Sequence, residues 1–300
     1  MAFLHNVVGE FLAGNITTFV SAFKSANVHS AAFVRRLFIL SVFFPPALFS
    51  AFERTAQPVA LTGTAYANLY GKDVGAFLLN PSAIAGVQSF YFNAFYSPSP
   101  FGLQQLANRG ALVACPTGFI DAGLCVTSSG FSLYKEVTAS ASIARTYNGI
   151  LSAGCTVNYD HLAISRYGSA SVIGIDLGAT VQVADEIRWG FSLLNVNRPS
   201  LAGSADELPE IYTTGISCEV IPTANISFAL VKDVRFSPSV RAGAEFSPHE
   251  ILQLRFGVST EPSRYYAGIG IRLSVASFEY GVATHLALGL THSIGISIGL

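Results

Sequence analysis

Charge is what this sequence has least of. Asp, Glu, Lys and Arg make up only 12% of its 300 residues, about half the share usual in soluble domains. With 17 basic and 18 acidic side chains and no Lys/Arg cluster, nothing supports nucleic-acid binding. Long apolar runs are missing as well. Beyond residue 52, Gly, Ser, Thr, Asn or a charge interrupts every run short of the roughly 18 residues a spanning helix needs. Yet 51% of the chain is hydrophobic, so a membrane reading requires strands. The six His residues show no metal spacing, and neither a metal nor a cofactor is implied. Of four cysteines, Cys115 and Cys125 fall on adjacent predicted strands but far out of register for a disulfide. Cys155 and Cys218 read as small apolar fillers on the outer face.

What the sequence does have is a period of two. In THSIGISIGL, residues 291–300, Ile294, Ile296, Ile298 and Leu300 share one parity and Ser293, Gly295, Ser297 and Gly299 the other. A soluble strand would place charges and large polar groups opposite its apolar face; Gly and Ser there point into a crowded interior. About fourteen such segments follow residue 86, from 87–97 to 291–300, each near the nine to eleven residues of a tilted membrane strand. Their connections alternate. Tight turns such as Pro116-Thr117-Gly118 and Tyr147-Asn148-Gly149 take turns with longer stretches such as SPSPFGLQQLAN, SSGFSLYKE, HLAISRYGS and NRPSLAGSADELPE. The expected fold is all-β: a transmembrane antiparallel β-barrel of about 14 strands, both ends on the periplasmic side, in the outer membrane of a diderm bacterium.

Charge placement gives this reading its physical cause. Asp121, Asp176, Arg188, Glu219, Arg241, Glu245, Arg255, Arg272 and Glu279 all fall on the parity opposite the apolar one. A charge on the lipid face at mid-bilayer costs about 2–4 kcal/mol, so these nine are expected in the lumen. Placing the turns near Ala276 and His249 sets Arg272 opposite Glu279 and Glu245 opposite Gln253, with Arg255 reaching Glu245 diagonally. These ion pairs are expected to hold the wall rather than to touch a solute. Phe90, Phe92, Tyr96, Phe278 and Tyr280 suit the aromatic girdle.

Residues 53–85 lack the alternation and read as an N-terminal hatch or plug, with a short helix near 72–79 that Pro81 ends; the barrel is 86–300. Residues 1–52 hold Arg35-Arg36 before LFILSVFFPPALFSA, which reads as a secretory signal behind an unusual extension. Gly295-x-Ser297-x-Gly299 imitates a nucleophile elbow but has no following helix and no later Asp or His, so no enzyme is expected.

GTAYANLYGKDVGAFLLNPSAIAG, VRAGAEFSPHEILQLRFGV and LGLTHSIGISIGL together resemble the PorV/PorQ family, related to the FadL-type long-chain fatty-acid transporters. In that family an Asn-Pro-Ala-type motif precedes the first strand, and Asn80-Pro81-Ser82-Ala83 is similar to it. The resemblance implies a fourteen-strand barrel with a hatch that includes Asp73, Asn80 and Pro81. It also implies one of two roles: moving a hydrophobic solute, or serving type IX secretion proteins as a barrel scaffold. Outer-membrane lipid is the partner in either case. The Gly-rich start of the third strand, Asp121-Ala-Gly123, and Pro116 are where a lateral wall opening is expected.

Overall fold

The computed structural model describes residues 51–54, 56–69, 74–201, 207–286 and 288–299. Residues 1–50 of the signal-like segment, and Asp73 of the hatch, lie outside the described residues.

Fourteen antiparallel strands close into a barrel in sequence order, the last pairing with the first. They are β1 (Tyr91–Ser97), β2 (Asn108–Pro116), β3 (Asp121–Gly130), β4 (Tyr134–Tyr147), β5 (Leu151–Ile164), β6 (Gly168–Ala184) and β7 (Ile187–Leu194), then β8 (Ile211–Ile221), β9 (Ala224–Asp233), β10 (Ser239–His249), β11 (Leu252–Ser259), β12 (Arg264–Leu273), β13 (Ala276–His285) and β14 (Gly289–Gly299). Closure pairs every edge, which is what hydrocarbon demands of backbone N–H and C=O groups. The expected fold is borne out. Along β11 the alternation is complete: Gln253, Arg255, Gly257 and Ser259 are buried, whereas Phe256 and Val258 are exposed at 57% and 46%. Large apolar side chains are thus bare on the outside, where lipid replaces a core.

Two expectations about the rims need correction. SSGFSLYKE and HLAISRYGS are not loops, because β4 and β5 are 14 residues long and β6 is 17. Only Phe131–Leu133 and Ser165–Tyr167 connect them. A 14-residue strand spans roughly 45 Å, well beyond the ~25 Å apolar band. Continuing the ladder keeps the protruding backbone hydrogen-bonded.

The registers of two hairpins also differ from expectation. Arg272 lies opposite Ser277, and Glu279 opposite Gly270, because the turn is Ser274–Val275 with Ser274 at φ 49°. Glu245 lies opposite Arg255 rather than Gln253. The tip there is at residues 250–251, and the register shifts between Phe246 and His249, where Pro248 cannot donate to the ladder. Both slips are by two residues, so each side chain keeps its expected face while changing its neighbour.

The segment before β1 runs through the barrel. It starts in the half near the longer connections, where Phe52 N donates to Glu136 Oε1 at 3.1 Å, and leaves at the turn rim, where Gly86 N donates to Asp121 Oδ2 at 2.6 Å. Between these points lie α1 (Val59–Gly63), packed on β12 and β13, and two 3-10 turns, Val74–Leu78 and Pro81–Ile84. Pro81 therefore opens a turn as well as ending one. Asn80 caps it, its Oδ1 accepting from Ser82 N at 3.2 Å, which is the Asn-cap, Pro-first arrangement helical starts favour.

Candidate functional site: the plugged barrel interior

The interior face is built of small residues because the plug needs their room. A Cβ on Gly154 would stand 2.5 Å from the Pro81 carbonyl carbon, and one on Gly178 would stand 2.0 Å from Asn80 Oδ1. β5 and β6 place these two glycines directly opposite each other, which makes a slot for the Asn80–Ser82 turn. Hydroxyls close the slot. Asn80 Nδ2 donates to Thr180 Oγ1 at 3.2 Å, and the Ser82 and Thr180 hydroxyls lie 2.7 Å apart.

Two charged networks flank the plug, one next to that slot on β6 and one across the barrel on β10–β13. Asp176 of β6 is 1% exposed and receives both terminal nitrogens of Arg54, at 2.7 and 3.0 Å. It also accepts from Asn158 Nδ2 at 2.7 Å and from Asn195 N at 2.8 Å, so the carboxylate is fully served. Burial pulls the Arg54 guanidinium down, but Asp176 outweighs it and holds it above its ordinary value. The second network centres on Arg255. Its Nε reaches Glu245 at 2.8 Å, another nitrogen reaches Gln253 at 2.8 Å, and a third lies 3.4 Å from Glu279 on β13. Glu279 thus meets Arg255 two strands away, not Arg272. Gly268 on the intervening strand leaves the path clear, and Gly63 of the plug packs on the Arg255 stem.

The remaining members of the nine are spread along the wall. Asp121 holds the end of the plug through Gly86. Arg188 donates to Gln182 at 2.9 Å, and Glu219 lies opposite Asn225. Arg272 is exposed at the turn rim, and Arg241 lies in the half near the longer connections. Sequence reasoning missed Arg54, Glu136 and Asp160. Arg54 lies in a segment without period, Glu136 stands where an expected strand meets the expected loop SSGFSLYKE, and Asp160 lies just before HLAISRYGS. The signal for Glu136 and Asp160 was there: continued through the supposed loops, the β4 and β5 alternation puts both on the inner face.

An apolar seam completes the interior. Val59, Phe77, Leu78 and Ile84 of the plug pack with Phe95, Leu112, Ala114 and Cys125 of the wall. Gly123 gives room to Ile84, whose Cδ1 would lie 2.4 Å from a Cβ there. At the expected lateral opening, β2 and β3 pair without a register shift from Asn108–Ser129 to Pro116–Asp121. A cavity of about 40 Å³ remains between plug and wall, lined by Phe52, Arg54, Gln57, Leu78, Thr138 and Asn158, room for a few waters. Outside the barrel, a larger apolar depression of about 550 Å³ lies on the lipid face of β7–β10, lined by Trp189, Ile216, Phe228, Leu230 and Val240.

A closed fourteen-strand barrel with apolar outer face and a plugged interior is an outer-membrane β-barrel of FadL-like fold. Among solved structures, the chain is similar to one described as the CymD monoaromatic hydrocarbon channel, with TM-score 0.64 and 12% identity over 83% of this chain and 99% of that one. It is also similar to a Pseudomonas aeruginosa FadL homologue, with TM-score 0.60 and 11% identity over 81% and 98%. A third is a mutant of the TodX monoaromatic hydrocarbon channel, with TM-score 0.61 and 10% identity over 81% and 98%. No family model and no curated protein sequence matches the chain.

Proposed function

We propose that this barrel is an outer-membrane channel for hydrophobic small molecules, gated by its N-terminal plug. One observation carries the reading. The wall behind the plug is apolar at Phe95, Leu112, Ala114 and Cys125, where a water-filled porin would be polar. Displacing Phe77, Leu78 and Ile84 from it would expose a greasy path that suits an uncharged or amphipathic solute and repels sugars. Likeness to structures described as monoaromatic hydrocarbon channels supports the same class. In this reading residues 1–52 direct export, residues 53–85 form the hatch, and the ion-paired lumen charges Asp176, Glu245, Arg255 and Glu279 hold hatch and wall rather than meet solute.

The resemblance to PorV/PorQ offers a scaffold for type IX secretion as the other role. Three of the seven connections at the outer rim are only three residues long, which leaves little surface for a large partner, so transport is the stronger reading. Proteoliposomes test it. The purified barrel is expected to admit radiolabelled toluene and a long-chain fatty acid faster than empty liposomes do, with glucose unchanged. Equal rates for all three, together with secretion proteins co-purifying from outer membranes, would replace transport with the scaffold role.

A further inference from the structure

The arginines of the interior are of two kinds. Arg54 and Arg255 meet carboxylates, as described above. Arg241 and Arg264 do not. They lie in one row across three strands, Arg241 of β10 paired with Ser259 of β11 and Ser259 with Arg264 of β12, next to the 260–263 connection. The Nε of each is sealed from water and makes no hydrogen bond. Among the described residues, neither guanidinium is within ion-pair distance of a carboxylate. The ionisable groups bearing on Arg241 are Tyr66, Tyr266 and Arg264 itself. Glu53 bears on Arg264, though more strongly on Arg235, and it is exposed.

What surrounds the two cations is aromatic. The Arg241 guanidinium carbon is 5.7 Å from the centre of the Tyr66 ring, and that of Arg264 is 5.4 Å from the Phe101 ring. Tyr66 meets Tyr266 edge to face, with centres 5.9 Å apart. Ring faces ease the cost of a desolvated cation but accept none of its hydrogen bonds. Two forks, one strand apart, therefore have no acceptor among the described residues and stand beside flat apolar surfaces. A guanidinium fork matches the two oxygens of a carboxylate, and the rings match a planar hydrocarbon body.

Building on the channel reading above, we propose that Arg241 and Arg264 form an anion-binding site at the outer mouth of the barrel for the carboxylate of an aromatic acid, whose ring packs among Tyr66, Phe101 and Tyr266. The site would select aromatic monocarboxylates from the neutral hydrocarbons that share the channel.

Equilibrium dialysis of radiolabelled benzoate against the full-length protein in detergent tests this, with benzyl alcohol as the neutral probe. Benzoate is expected to bind. Arg241→Gln and Arg264→Gln should each weaken it by about tenfold, the double variant should abolish it, and benzyl alcohol should be indifferent to all three. Arg166→Gln, in the exposed Ser165–Tyr167 turn, should change nothing. Heat-modifiable mobility on gels checks folding; should the Gln variants misfold, Arg241→Lys keeps the charge without the fork and should show an intermediate loss. Wild-type protein that fails to bind benzoate, or a folded double variant that binds it as tightly as wild type, overturns the site. Toluene uptake into proteoliposomes carrying the double variant separates the two claims: it should persist, and its loss in wild type as well would strike the channel reading instead.

Discussion

At the scale of single residues, among those described, one ion pair whose carboxylate is almost wholly buried ties the plug to the wall. Arg54→Ala would leave Asp176 with Asn158 and the Asn195 amide but no counter-charge. Breaking a buried pair in this way costs about 3–5 kcal/mol. The expected outcome is a plug that detaches before the barrel melts, read as new protease sites between residues 53 and 85 and as larger single-channel conductance in planar bilayers. An Asp176→Asn variant should do less, since the amide keeps most of its hydrogen bonds. The shared parity of the nine charges could be read from the chain because side-chain direction in a strand alternates with residue number. Their partners could not. Register depends on where a turn begins, and neither Ser274-Val275 nor the Pro248 irregularity carries an Asn-Gly or Asp-Gly signal. A two-residue slip then moved Glu279 from Arg272 to Arg255 without turning any side chain around.

At the scale of elements, the strand pattern is strong because two solvents enforce it. Phe256 faces lipid from the middle of β11, with Ala244 and Ala267 beside it on the neighbouring strands. Phe256→Arg is expected to lower stability by about 2–4 kcal/mol in a urea refolding titration into bilayers. Gln253→Glu, on the opposite parity of the same strand, sets a charge of opposite sign beside Arg255 and should cost less than half of that. A charge tolerated equally at both positions would contradict the assignment of faces. Strand number and faces were legible in the sequence for this reason. The lengths of β4, β5 and β6 were not, because above the membrane both faces meet water and the hydrophobic contrast fades while the hydrogen-bond ladder continues. The plug was legible only as a break in the period. Its path is set by shape, by glycines whose missing Cβ atoms open the Asn80–Ser82 slot and make room beside Arg255, and no periodicity encodes that.

At the scale of the whole molecule, wall and plug share one interior, and the proposed channel opens by movement of the plug. Gly154→Val tests the fit between them: a side chain in the slot should expel the Asn80–Ser82 turn and raise uptake while the barrel still folds, which labelling of a Ser82→Cys probe would report. The central claim is tested most directly by locking the same contact. Ser82→Cys with Thr180→Cys, in a chain whose four native cysteines are replaced by alanine, brings two sulfurs together where two hydroxyls now lie 2.7 Å apart. Uptake of radiolabelled toluene into proteoliposomes should then fall to that of empty liposomes when the disulfide is formed and recover fully when it is reduced. Uptake that is equally fast with the bond closed would contradict the account, since the solute would be crossing with the plug in place.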